Sequence, residues 1–511
     1  MRGDTSLRTV TRLHFPQKTS TISGASCVRR VIRENQLNSV QTERRFQAPG
    51  VIASTSRISC TILPLIVSGH PTEISSGRMN ALWRIAYNAL ALPFLWCALH
   101  VLSLFSQKVR RGITGRATLL ADLAEKVKRV PQGRRIWFHS SSMGEFEQAK
   151  PIIAALKRKD PRVTIVVSFF SPSGYEHSQS YPLADLITYI PFDTAHNAQR
   201  FLELLRPDVA IMVRYDVWPN HLWELRRRGI PTLIANATLR PTSLRLRGPL
   251  RSFHSLLYDQ LTAILTVSEA DAAAFRRFAT TRPDIRVIGE TRYDQVVQRS
   301  ESAKGTRLLP SAITRRKKIV VAGSTWPEDE EALLPAVRRL AQRDPDVLLV
   351  LVPHEPTVQT LERLESVLAA LRLRSIRFSH LQGYSEEPVI LVDGIGILMA
   401  LYRYARVAFV GGSFKQGVHN VLEPAVYGIP VVYGPKHTNS QEAVELARRG
   451  GGVVVSNHVE CYRALSKLLH QPEARRKAGA ICLELVKENM GATDRILDYL
   501  SAYLKPRQRS V

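Results

Sequence analysis

The sequence has few cysteines, and none of them is arranged for a disulfide framework or a metal site. Five occur in 511 residues, without a C-x-x-C pair or a metal-ligand spacing: Cys27, Cys60, Cys97, Cys461 and Cys482. This excludes a disulfide-stapled or zinc-ribbon protein and predicts reduced thiols in a cytosolic setting. No repeat of solenoid period and no sustained heptad pattern is present, which excludes repeat proteins and long coiled coils.

Acidic residues are also scarce. The chain has 44 Asp and Glu against 71 Lys and Arg, a net charge of +27. This predicts an anionic partner, which could be nucleic acid, an acidic membrane surface or a phosphorylated substrate. The basic residues are dispersed, and no aromatic RNA-binding signature or zinc knuckle accompanies them, which argues against nucleic acid. The length fits two domains of ordinary size plus appendages.

Residues 1–78 differ from the rest of the chain. They are rich in Ser and Thr, contain eleven Lys or Arg against four acids, and show no lasting helical or strand periodicity. This composition predicts a segment that does not fold. It is typical of a cleavable organellar targeting sequence, or it is an extension ahead of a true start at Met79. We favour the second, because Met79 stands just before an apolar stretch that makes a sensible N-terminus.

Residues 79–107 are predicted to form a membrane-anchoring helix. Ala81–Phe105 is mostly apolar and reaches the ~20 residues that a helix needs to cross a bilayer, although Arg84, Asn88 and His100 interrupt it. By the positive-inside bias, the basic residues that follow predict the main body in the cytoplasm: Lys108, Arg110, Arg111 and Arg116. The alternative is an amphipathic helix that lies on the membrane surface or packs on the first domain.

From Arg135 onward, short apolar runs alternate with amphipathic helical segments, as in parallel sheets wrapped by helices. The pattern predicts an N-terminal domain at 108–296, a polar and basic linker at 297–317, and a C-terminal domain at 318–511. Ligands of such doubly wound sheets bind beyond the carboxyl ends of the strands. The predicted strands are Ile136–His139, Thr164–Phe169, Leu186–Ile190, Val209–Val213, Thr232–Ala235, Ile264–Val267, Val287–Ile288, Ile319–Ala322, Leu348–Val352, Val389–Val392, Val407–Val410, Val431–Tyr433 and Val453–Val455.

The loop after Val407–Val410 is the most informative in the chain. Its glycines, Gly411, Gly412 and Gly417, would let backbone come close to a ligand. A helix that Asn420 can cap would offer free N–H groups to phosphate. With the carboxylate of Glu423, the loop predicts a nucleotide-sugar pocket.

Other strand ends carry candidate catalytic groups. Glu145 follows the first strand beside Gly144 and is predicted to be a general base, with a first-turn acid favoured by the helix dipole as the alternative. Asp216 follows the fourth strand. Arg292 follows the seventh, either to hold developing negative charge or phosphate or as a solvated surface arginine. His354 follows the second strand of the second half.

Five short motifs, taken in order, resemble the Kdo transferase family, whose members move 3-deoxy-D-manno-octulosonic acid (Kdo) from CMP-Kdo onto the bisphosphorylated lipid A precursor of lipopolysaccharide. The resemblance runs from Met79 to the C-terminus. The motifs are Ser-x-Gly-Glu at Ser142–Glu145, Trp-Pro-Asn at Trp218–Asn220, Ala-Gly-Ser-Thr at Ala322–Thr325, Asp-Gly-Ile-Gly at Asp393–Gly396 and His-Asn-x-Leu-Glu-Pro at His419–Pro424.

The resemblance implies an α/β GT-B glycosyltransferase fold, with two facing Rossmann-like domains and an N-terminal membrane-anchoring segment. The N-terminal domain would bind the acceptor and the C-terminal domain CMP-Kdo. The protein would sit among anionic lipids at the cytoplasmic face of the inner membrane and use no cofactor and no metal. Another GT-B enzyme, such as a UDP-sugar transferase or epimerase, is the nearest alternative, and a basic nucleic-acid-binding protein is a more distant one.

Carried over by position, the resemblance makes Glu145 the base of an inverting transfer. Asp216 and Arg292 fall on charge-stabilising positions, where Glu and Lys are common in the family. Many members read Pro-Arg-His where this chain has Pro353-His354-Glu355, so one phosphate-binding arginine is missing or replaced. The implied CMP contacts are Pro353, His354, Gly394, Ile395, Gly396, Asn420, Val421, Leu422 and Glu423.

Overall fold

The computed structural model describes residues 71–504, with side chains from Met79 onward. Residues 1–70 of the predicted leader at 1–78 therefore lie outside the described residues. Helix α1 begins at Pro71, ahead of Met79. A π-helical turn, Tyr87–Ala91, separates it from α2. Pro93 near the start of α2 has no amide N–H to continue the α-helical ladder, which accounts for the turn. The first helices are α1 (Pro71–Ala86), α2 (Leu92–Phe105), α3 (Gln107–Thr114) and α4 (Leu119–Arg129).

The segment Met79–Phe105 is long and apolar enough to cross a membrane, by length and composition. Its first half nevertheless packs on the N-terminal domain. The Tyr87 hydroxyl donates to Asp193 Oδ2 (2.8 Å), and Asn220 donates to Asn88 Oδ1 (2.9 Å). Both halves leave apolar side chains more than half exposed on the other face: Leu82, Ile85, Leu90, Phe94, Val101, Leu102, Leu104 and Phe105. One helical segment thus combines a face that packs on protein with a face free for lipid.

The N-terminal domain contains a seven-stranded parallel sheet in the order β3-β2-β1-β4-β5-β6-β7. Its strands are β1 (Arg135–Ser140), β2 (Thr164–Phe169), β3 (Leu186–Tyr189), β4 (Val209–Val213), β5 (Thr232–Ala237), β6 (Ala263–Thr266) and β7 (Asp284–Val287). Its helices are α5 (Met143–Lys159), α6 (Pro172–Ser178), α7 (Ala195–Leu205), α8 (Pro219–Arg227), α9 (Gly248–Tyr258), α10 (Glu269–Arg276) and α11 (Thr291–Ala303). Trp137 points into one apolar layer and its neighbours Ile136 and Phe138 into the other, so helices cover both faces.

The C-terminal domain contains a second parallel sheet of seven strands, in the order β10-β11-β9-β8-β12-β13-β14. Its strands are β8 (Lys318–Thr325), β9 (Val347–Pro353), β10 (Ser375–Arg377), β11 (Val389–Leu391), β12 (Val407–Val410), β13 (Val431–Tyr433) and β14 (Gly452–Val454). Its helices are α12 (Ser311–Arg316), α13 (Pro327–Arg343), α14 (Val358–Ala370), α15 (Leu398–Tyr402), α16 (Leu422–Ala425), α17 (Gln441–Arg449), α18 (His458–His470) and α19 (Pro472–Glu488). The sequence pattern missed β10, a half-buried edge strand that contains an arginine.

The last helix, α20 (Ala492–Leu504), returns to the N-terminal domain. Ile496 and Leu500 are buried in the apolar layer that covers one face of the first sheet. Asp294, on α11, accepts hydrogen bonds from the N–H groups that start this helix. The predicted linker at 297–317 contains the end of α11 and the short helix α12. The two domains are thus held together by α20 as well as by the linker.

Candidate active site

The strand order places two of the predicted catalytic residues side by side. β1 lies between β2 and β4, so the chain runs outward on both sides of it and the loops after β1 and β4 leave the sheet in opposite directions. Such a switch point forms a crevice at the carboxyl ends of the strands. Glu145 comes from the loop after β1 and Asp216 from the loop after β4.

Glu145 is 7% exposed in the first turn of α5. Its Oε2 accepts a hydrogen bond from the Ser142 N–H (3.0 Å), so the carboxylate caps the helix that carries it. Burial raises the pKa of the Glu145 carboxyl, and the negative charge of Asp216 raises it further, while backbone N–H groups offset part of the shift. Both interpretations of Glu145 are therefore compatible, because a capping acid with a raised pKa can also accept a proton.

A histidine that the sequence argument did not single out lies against Asp216. His139, at the end of β1, is fully buried, and its Nε2 lies 3.2 Å from Asp216 Oδ2. The Trp218 indole donates to the same nitrogen (3.0 Å), and Nδ1 lies 2.9 Å from Ser168 Oγ. Because an indole N–H can only donate, Nε2 accepts from Trp218 in this arrangement, and its approach to Asp216 is a close contact rather than a second hydrogen bond.

Arg292 lies elsewhere in the cleft between the domains. Its guanidinium donates to Glu290 Oε2 (2.8 Å) and, across the domain boundary, to Glu442 Oε1 (2.6 Å). Burial by itself would lower the pKa of Arg292, but Glu290 and Glu442 raise it instead. Its hydrogen bonds go to these two acids and not to Glu145 or Asp216. The structure therefore brings Glu145 and Asp216 together and places Arg292 in an interdomain ion pair.

The cleft around Arg292 has a volume of ≈ 670 Å³ and is lined by both domains. Arg214 enters it from the end of β4, with a left-handed backbone (φ 76°) and a buried Nε that has no hydrogen-bond partner. Arg240 enters from the end of β5, and its side chain forms no ion pair within residues 71–504. Two guanidinium groups in this cleft are thus free to bind an anion.

At the switch point of the second sheet, three aromatic rings from the ends of β8, β9 and β12 form a stack. The exposed His354 ring stacks over both Trp326 (ring centroids 4.7 Å apart) and His419 (4.6 Å). The Trp326 indole donates to His419 Nε2 (3.0 Å). Burial lowers the pKa of His419, and the neighbouring His354 lowers it further, which favours a neutral His419 ring. This flat, apolar surface suits a nucleobase or sugar face.

The space beside the α-carbons of the glycines after β12 is filled by the protein itself. A side chain at Gly411 would overlap the Ser324 carbonyl, and one at Gly412 would overlap the Gly417 carbonyl. A side chain at Gly417 would meet Asn439 at 2.8 Å. Gly411 and Gly412 are required because backbone packs against them, and Gly417 because the Asn439 side chain does.

Buried Asp329, in the first turn of α13, holds this glycine loop in place. It accepts hydrogen bonds from the N–H groups of Trp326 (2.9 Å), Gly412 (2.7 Å) and Phe414 (3.3 Å). Sequence reasoning missed this function, because the acceptor is far from the loop in the chain. A Gly-rich turn and a distant first-turn acid are the only signals that could have indicated it.

The helix after this loop is shorter than expected. α16 has four residues, Leu422–Ala425, and Asn420 Oδ1 accepts from the Leu422 N–H (3.1 Å). Val421 and Leu422 are core residues, so only their backbone could contact a nucleotide. Glu423 Oε1 lies 3.4 Å from Arg299 Nη1; burial raises the pKa of Glu423, and Arg299 offsets part of the shift.

The remaining predicted nucleotide contacts are open. No atom lies within 4 Å of a side chain added at Gly394 or Gly396, and Ile395 is 82% exposed. These residues follow β11, which neighbours β9, the strand that ends in Pro353 and is followed by His354. The predicted contacts with CMP thus all lie at the carboxyl edge of the second sheet. Within residues 71–504, no cluster of three His, Cys, Asp or Glu side chains is arranged to hold a metal.

Comparison with known proteins identifies relatives of both sequence and fold. A family model described as 3-deoxy-D-manno-octulosonic-acid transferase (kdotransferase) matches residues 115–295. The 3-deoxy-D-manno-octulosonic acid transferase of Haemophilus influenzae is 29% identical over 438 residues, which cover 83% of this chain and 99% of the relative. That of Aquifex aeolicus is 28% identical over 337 residues, 65% of this chain and 86% of the relative.

Among solved structures, the UDP-GlcNAc 2-epimerase of Neisseria meningitidis bound to UDP-GlcNAc matches with a TM-score of 0.52 at 15% identity, over 72% of this chain and 100% of that one. At this identity the likeness shows the fold alone, and the predicted fold of two facing Rossmann-like domains is confirmed. The resemblance to the Kdo transferases is confirmed as well, by the family model over residues 115–295 and by relatives that align with most of the chain.

Proposed function

We propose that this protein transfers Kdo from CMP-Kdo to the lipid A precursor, lipid IVA, with inversion at the anomeric carbon. The observation that carries the proposal is the pair of carboxylates at the first switch point, in a chain related to Kdo transferases. Glu145 is buried with a raised pKa beside Asp216. Such a group can accept a proton as a nucleophile forms.

In the proposed reaction, a hydroxyl of the acceptor lipid attacks the anomeric carbon of Kdo. The new carbon–oxygen bond forms as the bond from that carbon to the phosphate oxygen of CMP breaks. Glu145 takes the hydroxyl proton, and CMP leaves with the electron pair of the broken bond. Asp216 stabilises charge during transfer, Arg292 does so when the donor's phosphate replaces Glu290 or Glu442 as its partner, and no metal is required. Arg214 and Arg240, with unpaired guanidinium groups in the cleft, hold the donor's anionic groups.

The donor's CMP binds to the second domain through the residues predicted from the sequence. His354 offers its ring within the stack, Gly394–Gly396 offer open backbone, and Asn420–Glu423 contribute backbone and carboxylate. The resemblance implies a phosphate-binding arginine in this loop, where this chain reads Pro353-His354-Glu355. Arg299, on α11, pairs with Glu423 and so places a basic group beside the segment Asn420–Glu423.

The helix Met79–Phe105 anchors the protein to the inner membrane, with the catalytic domains on the cytoplasmic face and anionic lipids at the surface. Hydrogen bonds of Tyr87 and Asn88 hold one face of this helix on the N-terminal domain. The opposite face is apolar along the whole segment, with Leu82, Ile85 and Leu90 exposed before and within the π-helical turn and Phe94 and Phe105 after it. This face is the one that meets lipid.

Transfer of Kdo to tetra-acylated lipid A precursor in detergent, read by mass spectrometry, tests the proposal. Protein starting at Met79 is compared with its Glu145→Gln variant. Product from the first and none from the second supports the reaction and its base, and the product mass gives the number of sugars added. Folded protein that binds CMP but yields no product would redirect the search to other acceptors and donors. Loss of CMP binding as well would overturn the proposal.

A further inference from the structure

An apolar cavity of ≈ 400 Å³ lies between α2, the second half of the anchor helix, and the N-terminal domain. Its size is within the ~300–1,000 Å³ typical of small-molecule pockets. The walls come from α2, α3 and the loops after β2 and β3, and include Trp96, Leu99, Ile113, Phe170, Pro172 and Phe192. A second cavity of ≈ 470 Å³ shares Trp96 and Phe192 with it, so apolar space extends along α2. No step of the proposed reaction uses this space.

The cavity adjoins the part of the chain that is free to enter lipid. Trp96 and Leu99 lie on the face of α2 that is turned toward the domain. Leu102 and Phe105, 52% and 84% exposed, lie on the outer face of the same helix. A hydrocarbon chain could therefore pass from the bilayer into the cavity without crossing water.

The inner wall of the cavity is bonded to the proposed catalytic loop. The Ser171 N–H donates to the Ser141 carbonyl (2.9 Å), in the loop that carries Glu145. The Phe170 ring contacts the Trp218 ring (4.9 Å), and Trp218 donates to His139 beside Asp216. A chain held in the cavity would therefore present its head group toward the two carboxylates.

Arg116 and Lys108 also line the cavity, and only Lys108 has a side chain available to a ligand. Arg116 donates to the carbonyls of Ile190 (2.9 Å) and Phe170 (2.5 Å) and lies 4.7 Å from the Phe170 ring centre. Burial lowers the pKa of Arg116 to about 10. Arg116 thus holds the cavity wall. Lys108 is exposed at the cavity and forms no ion pair within residues 71–504, so it is available to a lipid phosphate.

We propose that this cavity binds one acyl chain of the acceptor lipid and so positions the acceptor hydroxyl for attack. The inference rests on the proposed function, because it takes the acceptor to be an acylated, phosphorylated lipid. An apolar cavity beside a membrane-facing helix matches the acyl chain, and the free Lys108 matches the phosphate. The cavity makes acylation a requirement for efficient transfer.

The test compares two acceptors, the tetra-acylated precursor and the same bisphosphorylated disaccharide without acyl chains, at saturating donor and in one detergent. Leu99→Trp fills the cavity. Leu102→Trp makes the same substitution on the outer face of α2 and is the matched control. We expect Leu99→Trp to reduce the ratio of kcat/KM for acylated over deacylated acceptor about tenfold, as if about two methylene groups were no longer buried. Leu102→Trp should leave that ratio unchanged.

The outcomes distinguish failure of the acyl site from failure of the proposed function. An equal fall for both tryptophan variants, or no change for Leu99→Trp, would overturn the acyl site while leaving the proposed function intact. Absence of transfer to either acceptor by the parent protein would overturn the proposed function and, with it, this choice of occupant. If Leu99→Trp does not fold, Ala117→Leu adds a smaller group to the cavity lining and should change the ratio in the same direction.

Discussion

The switch points of the two sheets use an acid at the same position of a strand-to-helix turn for different purposes. Glu145 follows β1 and accepts from the Ser142 N–H (3.0 Å). Asp329 follows β8 and accepts from the Trp326 N–H (2.9 Å). Burial raises the pKa of both carboxyls. Their remaining partners differ, because Asp329 also receives two backbone N–H groups from the glycine loop, whereas Glu145 faces the carboxylate of Asp216.

The comparison shows that the groups around an acid in the first turn of a helix determine its function. Three backbone donors engage Asp329, which makes it a structural tie between α13 and the loop after β12. Glu145 is left beside a like charge, which is how catalytic carboxyls are kept ready to exchange protons. The first switch point is thus suited to proton transfer and the second to a rigid binding surface.

The largest effect is expected at the first switch point. Glu145→Gln keeps a hydrogen-bond acceptor for the Ser142 N–H but cannot accept a proton, so we expect kcat for Kdo transfer to fall by ~10²–10⁴. Steady-state kinetics measures this, with thermal unfolding as the folding control. Glu147→Gln on the same helix is the matched variant, since Glu147 pairs with Lys150. An equal loss in both variants would contradict the assignment of the base.

Asp216→Asn should reduce kcat about 10–100-fold and also move the pH profile. Activity requires Glu145 without its proton, so the rate rises as pH increases through the pKa of Glu145. The charge of Asp216 raises that pKa, and its removal should shift the acidic limb to lower pH. Burial, which raises the pKa of Glu145 more than Asp216 does, is unchanged in the variant. An unchanged or upward-shifted limb would show that the two carboxyls are not coupled.

At the second switch point we expect a loss of stability. Asp329→Asn turns an amide N–H₂ toward backbone donors, and the group is 1% exposed, so unfolding free energy should fall by about 1–3 kcal/mol. Chemical denaturation measures this. Glu328→Gln, at an exposed pair with Lys415, is the control and should have little effect. A stable Asp329→Asn protein that still lost transfer would instead give Asp329 a part in the chemistry.

The smallest effect is expected in the ring stack. His354→Ala removes the exposed ring that stacks over Trp326 and His419, and we expect CMP binding to weaken about 2–10-fold, the range of one stacking contact. Calorimetry with CMP measures this. His458, at the start of α18, provides the control, and His458→Ala should bind CMP as the parent does. If both variants bind equally well, the stack is not part of the donor site.

Much of the fold could be predicted because the strands of a parallel sheet are buried on both faces and read as continuous apolar runs. β10 was missed for the same reason, since an edge strand with Arg377 breaks that pattern. Within the candidate site, Glu145 was predictable from its own loop. His139, which lies against Asp216, was not, because its neighbours come from β2 and from the loop after β4.

The sequence by itself determined the two α/β domains, the apolar segment after Met79 and the family resemblance, since these depend on local pattern and on motifs in order. Only the tertiary structure decided what each glycine and acid does. Gly411 faces the Ser324 carbonyl of another strand rather than a ligand, and Arg292 pairs with Glu442 across the domain boundary. The physical reason is that packing space and charge partners are supplied by residues distant in the chain, which no local pattern encodes.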